Sequence, residues 1–191
     1  MKHPTSRMLF SYWDALRGDR AAPDRGEIEP GEIRHILTDT FILEVNPEHG
    51  ADFRLAGTRL CALFGRELKG RSLPELWSPQ ARAEAGHYID IVTDETAGLV
   101  IGLVGSTPEG LTVDLEMLLL PLRHRGKTHA RIMGVLSPAM VPSWIGLHAV
   151  SSLSTVSLRV IWPSRRPLAE GLPEAAMERR RRFVLHRGGR P

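Results

Sequence analysis

The sequence predicts an α+β domain. Two apolar runs, residues 40–45 (TFILEV) and 52–55 (DFRL), sit on either side of a Pro- and Gly-containing turn and form a hairpin. Residues 58–96 then switch to helical spacing, and residues 99–136 return to strand spacing with two short turns between them. Strands that cluster at the two ends of a helical stretch give an α+β arrangement and argue against alternating parallel units.

Each element has a local cause. In residues 5–17, Leu9, Tyr12, Trp13 and Leu16 fall on one helical face; Thr5 or Ser6 can cap the start and Gly18 ends it. That aromatic stripe needs a partner surface, either its own domain or another subunit. Residues 18–32 (GDRAAPDRGEIEPGE) are polar, with Gly and Pro, and read as a connecting loop. Pro30 to Ile33 opens a short helix through Leu37, and Asn46 to Gly50 turns the hairpin. Thr58 to Phe64 forms a short helix with Leu60, Leu63 and Phe64 inward. Ser78 as cap and Pro79 at the first helical position start a longer helix to about Thr96, carrying Ala81, Ala85, Tyr88 and Val92 on one face and stopped by Gly98.

Leu99 to Val104 is an apolar strand, and Thr107 to Gly110 a hairpin turn. Leu111, Val113, Leu115, Met117 and Leu119 alternate with Thr112, Asp114 and Glu116, the pattern of a strand with one dry face. Arg123 to Lys127 turns again, and His129 to Leu136 completes a meander. Pro138, Pro142, Ser143 and Trp144 end it, and Thr155 to Trp162 (TVSLRVIW) is a further candidate strand.

The chain has a single cysteine, Cys61, so no intramolecular disulfide forms, which fits a reducing compartment. No stretch approaches the roughly 20 apolar residues of a membrane span, and the N-terminus lacks the apolar run of a signal peptide. A cytoplasmic protein is expected. Net charge is +3, yet residues 163–191 alone carry eight Arg against three Glu, so the rest is slightly acidic. The basic residues are 22 Arg and 3 Lys, a bias that base composition alone can produce.

Residues 52–77 (DFRLAGTRLCALFGRELKGRSLPELW) resemble the front half of a PAS sensor domain. With YWDALRG near the start, RIMGVLSP, and Pro142 to Gly146 (PSWIG), the likeness spans residues 8–162 and is similar to a PAS-like family of small alphaproteobacterial proteins. It implies a five-stranded antiparallel sheet with helices on one face, plus the N-terminal helix. The expected divisions are an N-terminal helix and connecting segment (1–37), a PAS-like core (38–140), an extension packing on it (141–162) and a basic, unstructured tail (163–191). It also implies a sensing or pairing module and no enzyme. No kinase, cyclase or phosphodiesterase signature follows the sheet, so signalling would run through contact with another protein. PAS domains commonly dimerise through an N-terminal amphipathic helix, which assigns Leu9, Tyr12, Trp13 and Leu16 to a homodimer interface. A PAS ligand cavity between sheet and helices would be lined by Leu60, Phe64, Trp77, Tyr88, Val92, Leu115, Met117 and Ile132; the same residues also make an ordinary packed core.

Other chemistry has less support. Cys61 lies in Arg59-Leu60-Cys61-Ala62-Leu63, without the polar neighbours that hold a flavin in photosensory PAS domains, and reads as a buried small hydrophobe. His87 sits on the helix that supplies the axial ligand in haem-binding PAS sensors, but it flanks Tyr88 and only one of the two can point inward. Neither a cofactor nor a metal is expected, since His124, His129, His148 and His186 form no cluster of zinc spacing. Asp114 and Glu116 read as a solvated face, and Gly102 and Gly105 lie inside a strand, away from any phosphate loop. No nucleophile–base motif is present. The tail ERRRRFVLHRGGR offers the alternative function, binding of nucleic acid or an acidic partner, while Phe183-Val184-Leu185 could add a strand to a sheet edge.

Overall fold

The computed structural model describes residues 1–46, 50–124 and 127–162, with the backbone alone at 127–129. One antiparallel sheet of six strands runs through it, in the order β2-β1-β5-β4-β3-β6. The strands are β1 (Thr40–Asn46), β2 (Gly50–Ala56), β3 (Gly98–Ser106), β4 (Thr112–His124), β5 (Lys127–Pro138) and β6 (Ser152–Ile161). The expected five are joined by β6, which pairs with β3 from Gly98↔Ile161 to Ser106↔Ser152.

Helices α2 (Thr58–Phe64) and α3 (Arg82–Asp94), with a 3-10 turn at Leu73–Leu76, cover one face. The main core forms there, around Phe41, Phe53, Leu60, Trp77, Tyr88 and Met117. Helix α1 (Pro4–Arg17) covers the opposite face. A second core lies beneath it, built from Leu9, Trp13, Ile33, Leu118, Leu120 and Val135. The sheet is therefore the middle of three layers. This explains why Leu118, Leu120 and Leu122 break the alternation of β4: from Met117 to Leu122 the strand is covered on both sides and every residue is buried.

Residues 18–32 connect, as expected, but they also pack. Ile28, Ile33 and Ile36 join the α1-side core, and the Arg123 amide donates to the Pro23 carbonyl at 2.9 Å, fixing the segment to the end of β4. Residues 31–36 form successive turns where a short helix was expected. Capping also differs. His3, not Thr5 or Ser6, caps α1, its Nδ1 accepting from the Thr5 amide. Ser78 makes no side-chain cap, and Pro79–Ala81 is a 3-10 turn before α3 begins. Helix α3 ends at Asp94, with Thr96 in the positive-φ region, and Gly98 instead opens β3.

Close approach requires two of the strand glycines. A Cβ on Gly134 would lie 2.4 Å from Phe41 Cζ, and one on Gly102 2.4 Å from Ser157 Oγ. Among the described residues no helix is long and apolar enough to cross a membrane.

Candidate functional site

The eight residues expected to line a cavity do converge. Leu60 and Phe64 come from α2, Trp77 from the segment before α3, Tyr88 and Val92 from α3, Leu115 and Met117 from β4, and Ile132 from β5. All are buried in one cluster. They meet as packed neighbours: the Trp77 and Tyr88 rings lie edge to face, with centroids 6.2 Å apart. Cavities of about 340 and 350 Å³ lie elsewhere, at the periphery, and Phe64 is the one member of the set that lines either.

Polar groups inside this cluster are joined in a chain. Trp77 Nε1 donates to Thr155 Oγ1 at 3.1 Å, and the Tyr88 hydroxyl lies 3.1 Å from the same oxygen. The Tyr88 hydroxyl also donates to the Glu84 carboxylate. Tyr88 has one proton to give, so Thr155 must donate to Tyr88, and the order runs Trp77, Thr155, Tyr88, Glu84. Burial and then the Glu84 carboxylate push the Tyr88 hydroxyl well above the usual tyrosine range.

The residues assigned to self-association face their own domain. Leu9 and Trp13 are 0% and 1% exposed, and Tyr12 and Leu16 are half-buried against the same α1-side core. Trp13 Nε1 donates to the Pro121 carbonyl at 2.8 Å, and the Arg17 guanidinium lies over the indole, 5.5 Å from its centroid. The Tyr12 hydroxyl accepts from the Glu29 amide. The stripe packs on its own sheet, and a dimer built through it would require α1 to leave that sheet.

Cys61 is half-exposed rather than buried. Its Sγ points along the outside of α2, 3.7 Å from Glu67 Oε1, away from the core. His87 is exposed while its neighbour Tyr88 points inward. His148 Nδ1 sits 3.6 Å from Glu109 Oε2. Among the described residues no three His, Cys, Asp or Glu side chains come together as a metal site. The side chains of His49, His129 and His186, and the whole tail with Phe183-Val184-Leu185, lie outside the described residues.

Glu116 is more than a solvated strand residue. Its carboxylate accepts from the Lys2 and His3 amides at 2.7 and 3.0 Å, tying the start of α1 to β4. Burial opposes ionisation there and is the largest single influence, but the Lys2 amide, Ser6, the His3 amide and the N-terminal ammonium together outweigh it and hold the carboxyl below its ordinary range. Asp39, 2% exposed, pairs with Arg59 at 2.6 Å; burial raises its carboxyl above the ordinary value and Arg59 partly counters this. The loop between β5 and β6, expected to end the meander and pack on the core, also carries residues the sequence reading did not single out. Pro142 through Gly146 form turns there, Trp144 and Ile145 pack on the core, and Met140, Val141 and Leu147 are left 66–83% exposed. The signal was present as an apolar run without period, which does not say which side faces water.

A family model described as "PAS domain" matches residues 1–137. The chain belongs to the PAS-domain family. A PAS domain is a sensory or signalling module, generally without catalysis. Among solved structures, the Rhodobacter sphaeroides light-oxygen-voltage protein is similar at 15% identity, over 61% of this chain and 71% of that one, with a TM-score of 0.44. A PAS domain from Colwellia psychrerythraea is similar at 12% identity, over 58% and 97%, with a TM-score of 0.42. A light-oxygen-voltage domain studied with a flavin analogue gives 15%, 61% and 87%, and 0.46. With scores this low the family match alone carries the assignment. No curated protein is similar enough to match. Against the expected arrangement, this PAS domain adds a sixth strand, and its α1 lies on the far side of the sheet from α3.

Proposed function

We propose that this PAS domain is a non-catalytic signalling adaptor that works by binding another protein through the loop between β5 and β6. The observation that carries this is the contrast between its interior and that loop. The interior is occupied by mutually packed side chains, with its polar groups already paired to one another. The loop exposes Met140, Val141 and Leu147 within eight residues of chain, while Trp144 and Val150 of the same segment pack on the core. Large apolar side chains grouped at the surface of a soluble domain mark interaction sites.

A photo-crosslinking amino acid at Leu147, compared with one at the exposed Glu29 on the other side of the sheet, tests this in cells. A discrete protein adduct at 147 and none at 29 supports the reading. Equal capture at both positions, or none at either, overturns it. If the adduct is a second copy of the chain, native mass spectrometry of the purified protein will show a dimer.

A further inference from the structure

On the α1 side of the sheet, next to the β2 edge, lies an apolar groove of about 350 Å³. Its floor and walls include Ile42 of β1, Leu55 of β2 and Met133 of β5, closed over by Ile28 and Ile33 of the connecting segment. Thr40 and Ile42 alternate with Phe41 and Leu43, which face the main core, so the groove is separated from that core by the thickness of the sheet. We propose that it is a binding site for a small amphipathic carboxylic acid, with its acyl chain in the groove and its carboxylate on Arg25.

Three observations choose that chemistry. First, the size falls at the lower end of small-molecule sites, and the lining is mostly hydrocarbon, as such sites are. Second, Arg25 is the one charged residue in the lining, and its side chain has no hydrogen-bond or ion-pair partner among the described residues. The acids beside it in the chain are already engaged. Asp24 accepts from the Gly26 amide, and Glu27 holds Arg20 through both oxygens and accepts from the Asp24 amide. A half-buried guanidinium left over in this way is matched by a carboxylate, which it can grip through two parallel N–H donors. Third, Leu55 is 45% exposed on the groove wall although it belongs to a strand, so an acyl chain lying there would cover it. A neutral or cationic ligand would leave Arg25 without a role.

The site is independent of the surface loop discussed above, which lies between β5 and β6. It is tested on the full chain labelled with ¹³C at the methionine methyls, using decanoate and decanol as probes. Met133 lines the groove, while Met117 lies in the main core and serves as the internal reference. Decanoate should shift the Met133 methyl saturably and leave Met117 in place. Arg25→Gln should weaken decanoate binding by about tenfold, the loss of one charge-assisted contact, and leave decanol unchanged. Leu55→Arg, at a position already half-exposed, should weaken both probes.

The proposal is overturned if Met133 shows no saturable shift with decanoate up to about 1 mM, if Met117 responds in place of Met133, which puts the ligand in the main core, or if Arg25→Gln leaves decanoate affinity intact.

Discussion

Replacing Trp13 with Ala separates a structural α1 from a detachable one. The indole is 1% exposed between α1 and β4, donates to the Pro121 carbonyl at 2.8 Å, and carries Arg17 on its face. Removing a buried Trp costs about 3–5 kcal/mol, the transfer and cavity terms together. Domains of this size hold about 5–15 kcal/mol in total, so one residue takes a large share. At a urea dependence of about 2 kcal/mol per molar, the unfolding midpoint should fall by about 2 M. Trp13→Phe keeps most of the packing and loses the donor to Pro121, so its cost should be about 1–3 kcal/mol. Unfolding is followed by far-ultraviolet circular dichroism, since the substitution itself changes tryptophan fluorescence. Native mass spectrometry of the same samples gives subunit number. The reasoning is refuted if Trp13→Ala unfolds at the parent's midpoint, and above all if it turns a parental dimer into an equally stable monomer. That outcome would return the stripe to an interface between copies.

Other consequences are equally checkable. Gly134→Ala forces a Cβ to within 2.4 Å of Phe41 Cζ and 2.6 Å of the Leu118 carbonyl oxygen, and should cost about 3 kcal/mol or more in thermal unfolding. Arg59→Ala leaves Asp39 buried without its cation. Because the folded-state carboxyl is raised above the unfolded one, the folded state binds the proton more tightly, and Asp39 weighs against stability as pH rises through the folded value. The midpoint loss in Arg59→Ala should therefore be large at pH 7 and mostly gone below about pH 4, where the carboxyl is neutral. An equal loss at both would show that the guanidinium acts through packing. Tyr88→Phe keeps the ring against Trp77 but breaks the chain from Thr155 to Glu84, at about 1 kcal/mol by urea titration. In the parent, alkaline absorbance titration should leave Tyr88 un-ionised through the usual tyrosine range, and its loss in Tyr88→Phe should leave that range's amplitude unchanged.

What could be read from the chain follows from where its information is local. Helix α2 was predicted residue for residue, because Leu60, Leu63 and Phe64 face one wall and Gly65 closes the helix with φ of 60°. Strand β2 and the first half of β4 alternate because one face is dry, whereas β1 was legible as a short apolar run beside a turn. Where both faces are buried, as at Leu118 to Leu122, alternation vanishes and periodicity cannot tell which layer covers which side. Ile28 was passed over as part of a polar loop, and Ile33 and Ile36 were read into a short helix, because turns with no fixed period carry all three onto the sheet. Glu116 looked solvated because its partners, the Lys2 and His3 amides, are more than 110 residues away in the chain. The candidate cavity shows the same limit. The PAS resemblance named eight residues that share one buried cluster, but whether such residues leave a space or fill it depends on side-chain packing between separate elements.

The hydroxyl of Thr155 has a mechanical consequence. Thr155 sits beside the irregularity where Val156 is the extra residue of β6 opposite Gly102 and Leu103. On the C-terminal side of that point, Ser157 to Ile161 hold to β3 through their ladder. At Thr155 the strand is also bolted to Trp77 and Tyr88, which belong to the helical layer. Tension applied to the chain beyond Trp162 would unzip the far half of β6 one rung at a time and then stop at the bolt. Force travelling along β6 thus reaches α3 by two routes, the hydroxyl of Thr155 and the packing of Leu158 and Val160 on the core.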